Sequence, residues 1–209
     1  MRLYVSTRNV FNRISYGRYA PRHSQRIYVR VSAKTPYLPP ESQPYAVKPH
    51  KLSGMVIGGE WDLQAKPVTD CLKVKFCLLH WIDGLAWKDT GCFEYLLDII
   101  RQRGRVDGLR SLNDIESRYA RLDQIYEKVQ KDGRLLNAHE LGNAKGRDLE
   151  NSGILIHLGR NGEPIFGGAG CHRIAMAISL NIETIPAKIG MIHAKYIHQW
   201  LLEMSMKAQ

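Results

Sequence analysis

The sequence predicts an α+β fold: a small mixed sheet carrying a loop-helix unit near its C-terminus, with a helical insertion ahead of it. Three observations predict this. Ile154, Ile156 and Leu158 alternate with Leu155 and His157 at period two, as in a strand. Apolar residues between 71 and 133 recur at three- and four-residue steps, as in helices. After a short apolar helix at 174–178, Glu183-Thr184-Ile185-Pro186-Ala187-Lys188 returns to an extended pattern.

Taken in order, the first segment, residues 1–50, is a basic arm with one strand and a Pro-rich linker. Arg2, Arg8, Arg13, Arg18, Arg22, Arg26 and Arg30 all precede the first acidic residue, Glu41, and supply most of a formal net charge of +10 over 209 residues. Such a charge draws the molecule toward nucleic acid and other phosphate-rich partners. The β-branched and Tyr-rich run at 27–32 reads as a strand rather than as part of a cleavable leader, and residues 1–20 lack the apolar core of a signal peptide. Four prolines between Pro36 and Pro44 favour an extended surface crossing.

The second segment, residues 51–145, holds an acidic loop and the helical insertion. Met55, Val56 and Ile57 form a short strand that ends at Gly58-Gly59-Glu60-Trp61-Asp62, an exposed acidic loop. Thr90 is a candidate cap for a helix bearing Phe93, Leu96, Leu97 and Ile100 that stops at Gly104. Ser111 or Asn113 caps a second helix, with Ile115, Tyr119, Leu122, Ile125, Tyr126 and Val129 on one face and Gly133 at its end. Trp81, Tyr119 and Tyr126 are assigned to core stripes. No run approaches the roughly 18 apolar residues of a membrane span.

The third segment, residues 146–209, follows a polar stretch at 142–152. Asn161-Gly162 is a hairpin signal calling for a primed turn, with return through Pro164, Ile165 and Phe166. The loop Gly167-Gly168-Ala169-Gly170-Cys171-His172-Arg173 then leads into Ile174-Ala175-Met176-Ala177-Ile178, a helix whose first turn begins near Cys171. Trp200 packs a terminal helix.

This loop is the candidate site. Its three glycines allow close backbone approach, a helix N-terminus favours an anion, and His172 and Arg173 add side-chain donors. A basic residue in a first helical turn opposes the helix dipole unless an anion compensates. The alternative is a Gly-rich turn that only permits tight packing.

The run Gly170-Cys171-His172-Arg173, the Ala-rich helix and the Glu183 to Lys188 strand resemble the ParB/sulfiredoxin superfamily, over residues 153–197. More broadly, the Gly58-Gly59-Glu60-Trp61-Asp62 segment, Trp87 with Thr90, and the terminal loop resemble uncharacterised ParB/sulfiredoxin-like proteins. The resemblance implies a loop that holds nucleotide phosphates, with Gly167, Gly168, Gly170, Cys171, His172 and Arg173 binding ATP or another nucleoside phosphate. The superfamily includes sulfinic-acid reductases, a free-serine kinase and CTP-binding DNA-partitioning proteins. Cys171 matches the catalytic cysteine of sulfiredoxins, although Phe166 here stands an extra Gly-Gly-Ala before the Gly-Cys step.

Glu60 and Asp62 are two residues apart, so extended backbone would point both carboxylates the same way. Together they are candidate Mg²⁺ ligands and catalytic acids or bases for phosphotransfer; the alternative is an acidic turn anchored by Trp61. His80, His139, His157, His193 and His198 lack ligand spacing and read as packing or surface histidines. Cys71, Cys77, Cys92 and Cys171 show no zinc spacing, which fits a reducing, cytoplasmic setting.

The functional expectation is a Mg²⁺-dependent, kinase-like phosphotransferase acting on a hydroxyl acceptor. Two alternatives accompany it: a nucleotide-switched nucleic-acid binder using the Arg-rich arm, and a sulfiredoxin-like sulfinic-acid reductase using Cys171.

Overall fold

A computed structural model describes residues 2–137, 140 and 153–208. His139, the polar stretch at 142–152 and the boundary drawn between 145 and 146 lie outside the described residues. The fold is α+β, with a mixed sheet of seven strands and, among the described residues, six α-helices.

The strands are β1 (Arg26–Arg30), β2 (Pro36–Tyr37), β3 (Val56–Ile57), β4 (Lys66–Pro67), β5 (Ile154–Leu158), β6 (Pro164–Phe166) and β7 (Thr184–His193). Their spatial order is β1-β7-β5-β6-β2-β4, and β3 pairs with the far end of β7. β5 lies parallel to β7 and antiparallel to β6, while β1 runs antiparallel to β7. All five residues of β5 are buried, because neighbours cover both of its faces.

The helices are α1 (Arg2–Tyr16), α2 (Leu72–Trp81), α3 (Cys92–Arg103), α4 (Leu112–Asp132), α5 (Cys171–Ser179) and α6 (Ile197–Met206). Helix α3 ends at Gly104 and α4 at Gly133, both with positive φ. The Ser111 hydroxyl accepts the Asp114 amide at 3.2 Å and caps α4, whereas Thr90 lies one residue before the α3 cap, Gly91, and accepts the Cys92 amide. Helix α4 is tied to α2 by Asp123, whose two oxygens accept the indole N–H groups of Trp81 and Trp87 at 3.0 and 2.8 Å.

The basic arm is more structured than the sequence predicts, since residues 2–16 form α1. Its apolar pattern is misleading: Val10, Phe11 and Ile14 face solvent, while Asn12 is buried and donates to the carbonyls of Pro21 and Gly54, both at 2.7 Å. Arg8 is likewise committed to the protein, donating to the Ser53 carbonyl at 2.9 Å.

The β5–β6 hairpin forms as expected, but its turn is not the primed type. Gly162 has φ 83°, while Asn161 is not among the positive-φ residues; Gly162 donates to Gly159 and Gly159 to Glu163, each at 3.0 Å. That pattern is a three-residue loop closed by a left-handed glycine, which relieves Asn161 of the second positive φ.

The core has two parts. The larger gathers the sheet face of Ile154, Ile156 and Ile189 with α2, α4 and α5, and the smaller contains Leu38, Leu52, Trp61, Ile165 and Met191. Between β5 and β7 the register slips after Ile156, leaving β7 with an extra residue opposite His157. His157 fills the slip: its Nδ1 accepts the Met191 amide at 2.8 Å, and the ring lies where side chains on Gly167 and Gly190 would otherwise sit.

Candidate functional site

The loop at 167–173 is shaped first by packing. A Cβ on Gly170 would come within 2.8 Å of the Ile154 Cα, and one on Gly167 within 2.6 Å of the His157 ring. Gly170 also has φ 85° and serves as the cap of α5. These two glycines press the turn onto β5, which supplies the tight-packing reason that the sequence left as an alternative. Gly168 does face a cleft, with Tyr37 as its neighbour.

Successive residues of a helix point about 100° apart, so α5 distributes its first turn over different surroundings. Cys171 meets the cleft. His172 instead turns against Tyr119 of α4, edge to face at 5.8 Å, with Nε2 buried and without a hydrogen-bond partner. Burial there holds its pKa down to about 4. Arg173 donates to the main-chain carbonyl of Leu136, and burial lowers its pKa too. Neither side chain therefore stands beside Gly168 as a phosphate clamp, which corrects the expectation for His172 and Arg173.

The acidic pair is corrected as well. Residues Trp61–Gln64 form a 3₁₀ turn rather than extended backbone, so Glu60 and Asp62 part company. Glu60 is exposed, whereas Asp62 is buried. Asp62 Oδ2 accepts from Arg160 N at 3.0 Å and Nε at 2.7 Å, and Oδ1 accepts from Nη2 at 2.8 Å. The Arg160 hydrogen bonds hold the Asp62 carboxyl at about 2, against the opposing effect of burial. With both oxygens engaged, Asp62 does not fit a Mg²⁺ ligand or a general base. Trp61 anchors the turn in the smaller core, and His193 Nε2 lies 2.9 Å from the Gly59 carbonyl beside it. Among the described residues, no cluster of three or more His, Cys, Asp or Glu side chains is placed to hold a metal.

What the fold brings to Gly168 and Cys171 comes from elsewhere in the chain. A cleft of about 650 Å³ is bounded by Tyr37, Glu41 and Lys66 on one side and by Asp70, Cys71, Lys73 and Lys75 on the other. Helices α2 and α5 both open onto it, and neither has a side-chain cap. Lys73 is partly covered and ion-paired with Asp107; burial works to lower its pKa, but the pairing with Asp107 and other nearby groups leave it raised. Lys66 stands 3.8 Å from Glu41. A second groove, about 530 Å³, runs along β1 between Tyr28 and Trp200, but it is mainly apolar and distant in composition from the predicted loop.

Within the cleft the two sulfurs of Cys71 and Cys171 lie 3.7 Å apart, and the Cys171 thiol also reaches the Gly168 carbonyl at 3.3 Å. The hydrogen bond between the two thiols lowers the Cys71 pKa to about 7, opposed by burial and helped by the amides of Val74 and Lys73. The same hydrogen bond and burial raise Cys171. Cys77 and Cys92 are buried away from solvent, and burial raises both.

No family model, curated protein or solved structure matches the chain.

Cys71, Lys73, Lys75 and Tyr37 were not singled out from sequence. The available signal was Cys71 at the start of a helical pattern, but its pairing with Cys171 is a contact across 100 positions. No helix among the described residues is long and apolar enough to cross a membrane.

Proposed function

We propose that the cleft between α2 and α5 binds a phosphorylated small molecule, with a nucleoside phosphate as the first candidate. The observation that carries this reading is the convergence of two uncapped helix N-termini and the side chains of Lys66, Lys73 and Lys75 on one opening beside Gly168. Unpaired main-chain amides at a helix start carry partial positive charge and attract anionic oxygen; Lys75 adds a full charge, and Lys66 and Lys73 add theirs against the paired Glu41 and Asp107. The resemblance of the loop to ParB/sulfiredoxin phosphate-binding loops supports the same ligand class.

The binding mode differs from the one read from sequence, because the lysines of α2 and β4 take the place assigned to His172 and Arg173. Phosphotransfer belongs to this proposal only as far as a base is available. Glu41 and Asp70 border the cleft, whereas Asp62 is occupied by Arg160.

The test is thermal unfolding of the full chain with ATP, ADP, CTP, GTP and inorganic phosphate, each with and without Mg²⁺. A ligand at a hundred times its Kd stabilises the native state by about 2.7 kcal/mol, so a raised Tm is expected for at least one nucleotide. The shift should shrink in the Lys73→Ala, Lys75→Ala double variant and persist in Arg173→Lys. No shift with any of these anions would refute the reading.

A further inference from the structure

The phosphate reading leaves one feature of the cleft unused. Cys71 and Cys171 come from separate helices, lie in sulfur-to-sulfur contact at 3.7 Å and both line the opening. Each sits at a helix start: Cys71 immediately precedes α2 and Cys171 is the first residue of α5. A thiolate at such a position is stabilised by the positive end of the dipole, and here Lys73 is a neighbouring cation. A disulfide requires sulfurs about 2.0 Å apart, so roughly 1 Å of movement from each side closes the bond. Helices α2 and α5 pack directly together, which holds the two sulfurs side by side.

We propose that Cys71 and Cys171 form a dithiol–disulfide couple that exchanges with small acidic disulfides entering the cleft. The Cys71 thiolate attacks one sulfur of the external disulfide, a new S–S bond forms to Cys71, and the other half leaves as a thiolate. Cys171, losing its proton to that leaving thiolate or to solvent, then attacks Cys71 Sγ and expels the second half as a thiolate. Two protein thiols are oxidised to one disulfide, and the external disulfide is reduced to two thiols. The reverse sequence reduces the protein. Lys75 and the positive ends of α2 and α5 favour carboxylate-bearing disulfides over cationic ones, while Lys66 and Lys73 are paired with Glu41 and Asp107.

This inference rests on the cleft being open to ligands, and not on that ligand being a phosphate. Exchange requires no nucleotide, and a nucleotide-induced Tm shift requires no thiol oxidation, so either can fail alone.

The experiment exposes the fully reduced chain to glutathione disulfide or to cystamine at equal concentration, quenches with an alkylating agent, and maps the cysteine-containing peptides by mass. In the unmutated chain the expected product is a single cross-link joining the peptides that carry Cys71 and Cys171, with Cys77 and Cys92 alkylated. Cys171→Ser should stop at glutathione held on Cys71, and Cys71→Ser should react at least tenfold more slowly. Glutathione disulfide should outpace cystamine. Peptide mapping of the unmutated chain is decisive even if a variant folds poorly. A stable mixed disulfide without the internal cross-link, equal labelling of all four cysteines, or adduct formation on Cys171 in preference to Cys71 would each overturn the proposal.

Discussion

Arg160 reaches back across 98 positions to Asp62, and the pair is joined by two guanidinium hydrogen bonds and one from the Arg160 main chain. The contact welds the β5–β6 turn to the turn after β3. It also decides the fate of the acidic pair, because a carboxylate held three times over by one arginine is a structural element. Replacing Asp62 with Asn is expected to destabilise the protein by about 1.5 kcal/mol, since charge-assisted hydrogen bonds to a buried carboxylate are lost while the partly exposed Arg160 can turn to solvent. Urea unfolding of D62N against the parent chain measures this. Glu60→Gln, at an exposed position, should change stability by less than about 0.5 kcal/mol.

The same pair sets an acid limit. Asp62 has a folded pKa of about 2, below the ordinary aspartate value of roughly 3.9. The unfolded chain therefore takes up a proton first as pH falls. The stabilisation is complete above about pH 4 and is lost as pH drops toward 2. His157 acts at higher pH. Burial holds its folded pKa down to about 3, well under the usual histidine range. The stability that comes from keeping this ring neutral is full above roughly pH 6.5 and declines as pH falls toward 3. In His157→Asn, whose amide oxygen can still accept the Met191 N–H, the loss of Tm between pH 6.5 and 4 should be visibly shallower.

Gly170→Ala is expected to cost about 2 kcal/mol or more, because it combines a positive φ with a Cβ thrust against the Ile154 backbone. Gly104→Ala is the control: its φ is also positive, yet nothing lies within 4 Å of the added methyl. That change should cost about 1 kcal/mol. Equal losses in denaturant midpoints for the two variants would contradict the packing account of the loop.

Asp123→Ala removes the acceptor of two indole N–H groups at once. Leaving Trp81 and Trp87 without their partner should destabilise the native state by about 2–4 kcal/mol, and the tryptophan emission should report the altered environment before global unfolding. A near-neutral urea midpoint would show that water replaces the carboxylate without penalty.

Much of the fold was legible wherever local chemistry and tertiary packing agree. The ends of α3 and α4 could be read at Gly104 and Gly133 because a left-handed cap favours glycine, and the start of α4 at Ser111 because its hydroxyl satisfies a free amide. The buried alternation of β5 and the return through β6 were equally clear. Helix α1 was missed because Val10, Phe11 and Ile14 face outward and a polar residue, Asn12, faces in. Strands β2 and β4 have two residues each, too few to display a period.

The candidate site was less legible, for a different reason. The sequence marked the loop, but the direction of each side chain depends on the rotation of α5 and on what α4 presents to it. His172 meets Tyr119, Arg173 meets Leu136, and only Gly168 and Cys171 of the marked residues reach the cleft. The partners that complete it, Cys71, Lys73 and Tyr37, lie far away along the chain and carry no local motif.

The ring of His157 occupies space that three backbone positions share, since Gly167 and Gly190 leave it room on opposite sides. Substitution at any one of these sites is thereby made conditional on the others. An alanine at 190 would meet the imidazole, so its cost should fall when residue 157 is made smaller, even though that change also gives up the acceptor of the Met191 amide. The trio forms a locus of reciprocal epistasis at the seam between β5 and β7.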